Sequence, residues 1–200
     1  MRYKENNVEF WDKKYLAQDT GWDLSGPTPV FEKISNTISK GKVCILGCGR
    51  GYDAVMFAEK GFKVTAVDFS PEAINSLNKL TNKKQENLTV LQEDIFNLKE
   101  DYYEYFDYVI EQTCFCAIHP TRRLDYVYLV KSILKKKGRL IGLWFPLNKK
   151  ITDGGPPYGT MVGEVKSYFK NLWEVEREEF SELSVDTRLN KEKLIIFKKL

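Results

Sequence analysis

The segment Lys42-Val43-Cys44-Ile45-Leu46-Gly47-Cys48-Gly49-Arg50-Gly51 constrains the fold more than any other part of the chain. A short apolar run leads into three glycines at alternate positions, and helical spacing resumes at once over residues 52–60. Glycines belong where a turn is tight and where a ligand packs on the backbone itself, because a Cβ would fill that space. A buried strand, a glycine turn and a helix in immediate succession form the opening unit of a parallel, doubly wound α/β sheet.

Strand and helix keep alternating from there. Gly61 stops the first helix and residues 62–67 form a second strand. Ser70 caps the next helix with Pro71 in its first turn, and Ala73, Ile74 and Leu77 make its apolar stripe. Leu88–Gln92 and 106–110 are further strands. Residues 121–136 carry helical spacing at Leu124, Val127, Tyr128 and Ile133; Gly138 is expected to end that helix and 139–145 to make a fifth strand. The tail departs from this rhythm: 163–169 reads as helix, and 173–180 and 193–198 read as strands joined by a short polar turn. An antiparallel pair closing a parallel sheet fits that pattern. Two hundred residues suit one domain spanning 1–200, with residues 1–26 left over as a lid at the strand ends.

Composition narrows the class. The chain is 42% apolar and 30% charged, as in soluble globular proteins. Its longest apolar runs, 43–46 and 140–145, are too short to span a bilayer, and the polar start resembles no signal segment, so the cytoplasm is the default. A net charge of +3 is mild. The cluster Lys131, Lys135, Lys136, Lys137 and Arg139 reads as the solvated end of a helix, where cations complement the macrodipole. Neither a nucleic acid nor a membrane is expected as a partner, and the expected state is a monomer or weak homodimer. Cys44, Cys48, Cys114 and Cys116 form no Cys-x-x-Cys pair and His119 is the one histidine, so no metal site is expected. Cys44 and Cys116 read as core fillers.

Two acids turn the sheet towards a particular ligand. Asp68 closes the second strand, where a carboxylate can accept from both hydroxyls of a ribose; its other reading is a loop cap before Ser70-Pro71. Glu93-Asp94-Ile95 follows the third strand, where Asp94 can accept from an adenine amino group and the Ile95 N–H can serve a ring nitrogen; the alternative is an ordinary polar turn. Nicotinamide and flavin proteins carry Gly-x-Gly-x-x-Gly. Here Tyr52 follows Gly51, so the third glycine falls one residue early, and the acid at the third strand favours S-adenosylmethionine.

Leu46-Gly47-Cys48-Gly49-Arg50-Gly51-Tyr52-Asp53 and Val67-Asp68-Phe69-Ser70-Pro71 together resemble the thiopurine S-methyltransferase superfamily, and more closely its thiol and halide methyltransferase branch. The resemblance extends through Phe10-Trp11-Asp12-Lys13-Lys14-Tyr15, Gly21-Trp22-Asp23, Pro27-Thr28-Pro29, Glu93-Asp94-Ile95-Phe96, Glu111-Gln112-Thr113-Cys114-Phe115-Cys116-Ala117-Ile118 and Gly154-Gly155-Pro156-Pro157-Tyr158, the fourth-strand motif being the most specific. It implies the class I methyltransferase fold, a Rossmann-like sheet of order 3-2-1-4-5-7-6 with strand 7 antiparallel. It implies S-adenosylmethionine as donor and S-adenosylhomocysteine as product. It implies that Trp11, Trp22, Gly47, Gly49, Asp68, Asp94, Ile95 and Glu111 surround the cofactor. The chain departs from the family in having Cys114 where a bulky residue is common, and Leu46 where many members have a proline.

The implied acceptor is a small soft nucleophile: a thiol, thiocyanate, bisulfide or halide. Such acceptors need alignment and exclusion of water more than a strong base. A thiol of pKa about 8.5 supplies some thiolate near neutrality. Candidate walls are Trp11, Tyr15, Trp22, Phe115, Trp144 and Tyr158, while Phe106 and Phe145 read as core. His119 and Tyr158 are the candidate catalytic residues. His119 is open to two readings, a general base or a turn residue capping the next helix, and a lone histidine favours the cap. Pro156-Pro157-Tyr158 follows the fifth strand and has no amide or acid before it, so it reads as a rigid loop placing Tyr158 rather than as an amino-methylating motif. The alternatives are a thiopurine-like heterocycle or a selenium or tellurium oxyanion as acceptor, and a non-catalytic S-adenosylmethionine-binding protein.

Overall fold

A computed structural model describes residues 3–81, 86–98, 100 and 102–200; residues 1 and 2 of the expected lid lie outside these. β1 (Lys42–Leu46) buries four consecutive side chains, Val43 to Leu46, as a strand covered on both faces must. β2 (Lys63–Asp68) lies parallel to it, with Leu46 opposite Val67. β3 (Leu88–Gln92) is parallel to β2, with Asp68 opposite Gln92. The C-terminal ends of the three strands are therefore level, and Gly47, Asp68 and Glu93 leave the sheet at one edge.

The chain divides into two compact units, Met1–Asn97 and Leu98–Leu200. The first adds α1 (Val8–Leu16), α2 (Pro29–Ser35), α3 (Tyr52–Glu59) and α4 (Pro71–Leu80) to β1–β3. α4 forms as its sequence dictates: the Ser70 hydroxyl accepts from Ala73 N, Pro71 opens the first turn, and Ala73, Ile74 and Leu77 are buried. The second unit holds β4 (Phe106–Gln112), α5 (Arg123–Ile133), β5 (Leu134–Trp144), α6 (Val162–Tyr168), β6 (Trp173–Glu179) and β7 (Lys193–Lys199). β4 and β5 are parallel, whereas β7 runs antiparallel to both β5 and β6. The sheet order is β3-β2-β1-β4-β5-β7-β6, as the resemblance implied. Among the described residues no helix is long and apolar enough to cross a membrane.

Four local expectations fail in whole or in part. α5 ends at Ile133, and β5 starts directly at Leu134. Leu134 is buried opposite Phe106, and the next pair is Tyr108 with Arg139, so residues 135–138 bulge from the strand. Gly138 does not stop a helix. It lets the bulge fold inward, since a Cβ there would lie 2.9 Å from the Lys135 carbonyl oxygen and 3.2 Å from that of Asp107. Of the basic cluster only Lys131 lies in the last helical turn; Lys135 pairs with Asp107 and Arg139 with Glu176. The apolar stripe of α5 is as expected at Val127 and Ile133 but not at Leu124 and Tyr128. Tyr126, Val127, Val130 and Ile133 are buried together with Arg123, while Leu124 and Tyr128 are 52% and 61% exposed. Finally, β6 and β7 are joined by residues 180–192 rather than a short turn, and that connection buries Arg188 and Glu192.

Gly51 shows how tightly the turn after β1 is packed. Its φ is +82°, and a Cβ would fall 2.2 Å from Leu77 Cδ1 on α4. Gly51→Ala should lower unfolding free energy by about 2–4 kcal/mol, combining overpacking with left-handed strain. Denaturant titration checks this, and the penalty should shrink when Leu77→Ala is present. An unchanged midpoint in Gly51→Ala would contradict the packing.

Candidate active site

In the first unit the turn residues are held from below by Asp68. Its side chain is 7% exposed; Oδ2 accepts from Gly49 N at 2.9 Å and Oδ1 from Ser70 N at 2.9 Å. Its carbonyl oxygen accepts from Glu93 N at 3.0 Å, which draws Glu93-Asp94-Ile95 to the end of β2. Burial pushes the Asp68 carboxyl up to about 6, against the backbone donors of Ser70, Gly49 and Phe69 that favour its charge and with the help of nearby Asp12. Both sequence readings of Asp68 are compatible with this geometry. It caps the loop to Ser70, and the backbone donors leave acceptor capacity on the carboxylate.

Asp94 Oδ1 accepts from Phe96 N at 3.0 Å and so opens a short 3₁₀ turn, Ile95–Asn97, in which Ile95 is buried. Gly47 and Gly49 take φ of 63° and 54°. Above them sits an aromatic group from the N-terminal segment. The Tyr15 hydroxyl lies 3.1 Å from the position a Gly49 Cβ would occupy. The Trp22 indole donates to that hydroxyl, and burial beside Asp68 pushes the phenol up. Trp22 meets Tyr15 and Trp11 edge to face at centroid distances of 5.7 and 5.5 Å. Trp11, Trp22, Gly49 and Asp68 are thus linked through Tyr15, with Asp94 and Ile95 on the adjoining strand end.

In the second unit a second buried acid organises a loop. Glu111, 2% exposed at the end of β4, accepts at Oε1 from Cys114 N (3.0 Å) and Phe115 N (2.8 Å) and at Oε2 from the Tyr126 hydroxyl (2.6 Å). Burial pushes its carboxyl up to about 7, opposed by these donors and by Arg123. The loop it holds presents the Cys116 carbonyl, which accepts from Tyr158 N at 2.7 Å. His119 and Tyr158 meet edge to face at 5.5 Å. His119 Nδ1 accepts from Thr121 N and lies 2.9 Å from Thr121 Oγ1, capping the 3₁₀ turn Pro120–Arg122. Phe115 and Trp144 are not open walls. Both are buried against each other, with Tyr126 and Phe169 completing the packing, and Trp144 belongs to β5 itself.

Arg123 escaped the sequence reading. Fully buried at the start of α5, it lies 3.3 Å from Glu164 Oε1, donates to the Tyr158 carbonyl oxygen at 3.5 Å, and stacks 4.5 Å above Phe115. Its Nε finds no hydrogen-bond partner. The signal was the 123-126-127-130-133 spacing, which places an arginine at the head of the buried stripe.

Comparisons with known proteins place the chain in a family. The sequence model of the thiopurine S-methyltransferase family matches residues 6–198. A probable thiol methyltransferase 2 of Arabidopsis thaliana is 36% identical over 98% of this chain and 87% of its own. Thiocyanate methyltransferase 1 of the same plant is 30% identical over 95% and 84%. Among solved structures, the Burkholderia thailandensis 1,6-didemethyltoxoflavin-N1-methyltransferase, with bound 1,6-didemethyltoxoflavin and S-adenosylhomocysteine, superposes with a TM-score of 0.76 at 17% identity, covering 96% of this chain and 86% of that one. At that identity the likeness concerns the fold.

The raised Glu111 carboxyl has a consequence for stability. Because the folded state holds its proton more tightly than the unfolded chain, the associated stability is complete below the unfolded value and is lost as pH rises through about 7. Between pH 5.5 and 8 the unliganded protein should lose on the order of 2 kcal/mol from this group. Glu111→Gln should flatten that part of the stability profile in denaturant titrations at several pH values; an unchanged slope would place the titration elsewhere.

Proposed function

The chain belongs to the thiopurine S-methyltransferase family of S-adenosylmethionine-dependent methyltransferases, and we propose that it methylates a small soft nucleophile, a thiol or thiocyanate, with bisulfide and halide accessible to the same chemistry. S-adenosylhomocysteine is the other product. The observation that carries the acceptor class is the state of His119. Its Nδ1 is engaged in capping the turn at Thr121, a use suited to an enzyme that aligns its acceptor rather than deprotonating it. The names of the thiol and thiocyanate methyltransferase relatives support the same class.

The residues of the first unit fit the cofactor. Gly47 and Gly49 offer backbone free of side chains, Asp68 offers its carboxylate to the ribose hydroxyls, and Asp94 with the Ile95 N–H suits an adenine edge. Trp11 and Trp22 belong to the segment 1–26, which we assign as the lid. When bound, S-adenosylmethionine would supply a methyl carbon activated by a positively charged sulfur, which an acceptor's lone pair would take as the carbon–sulfur bond's electron pair stayed on sulfur. The task left to the protein is to hold the groups in line and keep water out. Glu111 serves by fixing the loop 113–118, and Tyr158 by offering a hydroxyl that orients a thiolate acceptor.

An acceptor panel of thiocyanate, bisulfide, iodide, thiophenol and a thiopurine, read by S-adenosylhomocysteine release, tests the reading. At saturating cofactor the thiocyanate rate should be flat between about pH 7 and 9, while a thiol's rate should follow its own thiolate fraction. His119→Ala should keep thiocyanate turnover within about tenfold, since loss of a true general base removes about 10²–10⁴-fold. Tyr158→Phe should harm thiol turnover more than thiocyanate turnover. A thiopurine as the sole acceptor, or a large His119→Ala loss confined to thiols, would overturn the assignment.

A further inference from the structure

Three polar ties join the N-terminal segment to the frame of the glycine turn, all within the first unit. Asp12 on α1 accepts from the Ser70 hydroxyl and from Glu72 N, just beyond Asp68. Asp53, in the first turn of α3, accepts from Thr28 N at 2.7 Å and from the Thr28 hydroxyl at 2.8 Å. Asp23 Oδ2 lies 2.7 Å from Arg50 Nε. The last tie differs in kind, because Arg50 stands between Gly49 and Gly51 and its backbone is part of the turn. Its guanidinium reaches three ways: to Asp23 on the segment, to Ser76 Oγ on α4 at 3.2 Å, and over the Tyr15 ring at 5.5 Å. Asp23 directly follows Trp22, which donates to the Tyr15 hydroxyl above Gly49.

From this geometry we infer that Arg50 and Asp23 are positioning residues, an ionic latch that sets Trp22 and Tyr15 over the glycine turn and thereby governs how long the cofactor stays bound. Arg50 acts through Asp23. The inference rests on the assignment of S-adenosylmethionine to this unit. The two side chains are 26% and 12% exposed, enough shielding for the pair to act and enough water for salt to weaken it. The effect is kinetic: a latch that must open before release slows dissociation more than association.

The test is a double-mutant cycle on the full chain with S-adenosylhomocysteine as probe, following dissociation rate by stopped flow and affinity by calorimetry. Arg50→Gln and Asp23→Asn should each release the probe about 3–10-fold faster. The double variant should be no worse than the worse single one. Raising salt from 0.05 to about 0.5 M should speed release from the wild type and leave the variants unchanged. Arg139→Gln, which removes an ion pair of the second unit, should release the probe as the wild type does. Additive single effects, unchanged release in both variants, or equal salt sensitivity in wild type and variants would overturn the latch while leaving the cofactor assignment intact. A wild-type chain that does not bind S-adenosylhomocysteine at all would overturn the cofactor assignment and the latch with it.

Discussion

The glycine turn after β1 depends on a single buried carboxylate. A chain that leaves a parallel strand and turns at once into a helix exposes backbone N–H groups with no strand or helix partner. Asp68 takes two of them, from Gly49 and Ser70, and with its carbonyl oxygen takes a third, from Glu93. One residue thereby ties the ends of β1, β2 and β3 to each other. Burial of that charge opposes its ionisation, and the raised carboxyl is the trace of the conflict. Glu111 repeats the device at the end of β4, where it holds Cys114 N and Phe115 N and draws in Tyr126. Each unit thus closes a strand with an acid whose lone pairs are shared by the loop that follows, and both acids are pushed in the same direction.

The parts of this arrangement that are periodic or punctuated could be read from residues alone. Val43 to Leu46 forms a strand because four successive apolar side chains suit a sheet covered on both faces, and Ser70-Pro71 announces a helix start by its capping chemistry. What failed was non-local. The end of α5 was misplaced because Lys135-Lys136-Lys137-Gly138 has good helical propensity up to its glycine, yet pairing of Leu134 with Phe106 converts the segment to a strand with a bulge. Tertiary pairing outweighs the small per-residue helix preference. The connection 180–192 looked like a turn because most of its residues are polar, and nothing local says that Arg188 and Glu192 become buried.

The site divides the same way. Gly47, Gly49, Asp68, Asp94 and Ile95 could be placed at or just beyond the strand ends because strand ends can be counted. The partners of Arg50 and Asp53 were not, since Asp23 and Thr28 lie 27 and 25 residues away and no periodicity connects them. Phe115 and Trp144 were placed as walls for want of any signal separating a core aromatic from a lining one. Arg123 was hidden because Leu124, not its neighbour, was taken as the head of the buried stripe.

The central claim is that Asp68, as a carboxylate, both builds the turn and receives the ribose. The affinity of S-adenosylhomocysteine as a function of pH tests it most directly, because the ionised form is the one that accepts from the hydroxyls. Calorimetric Kd values should be constant above about pH 7 and rise as pH falls through about 6, approaching tenfold per unit; in Asp68→Asn they should be weaker throughout and flat. The same pH profile in wild type and Asp68→Asn, at equal affinity, would contradict the account.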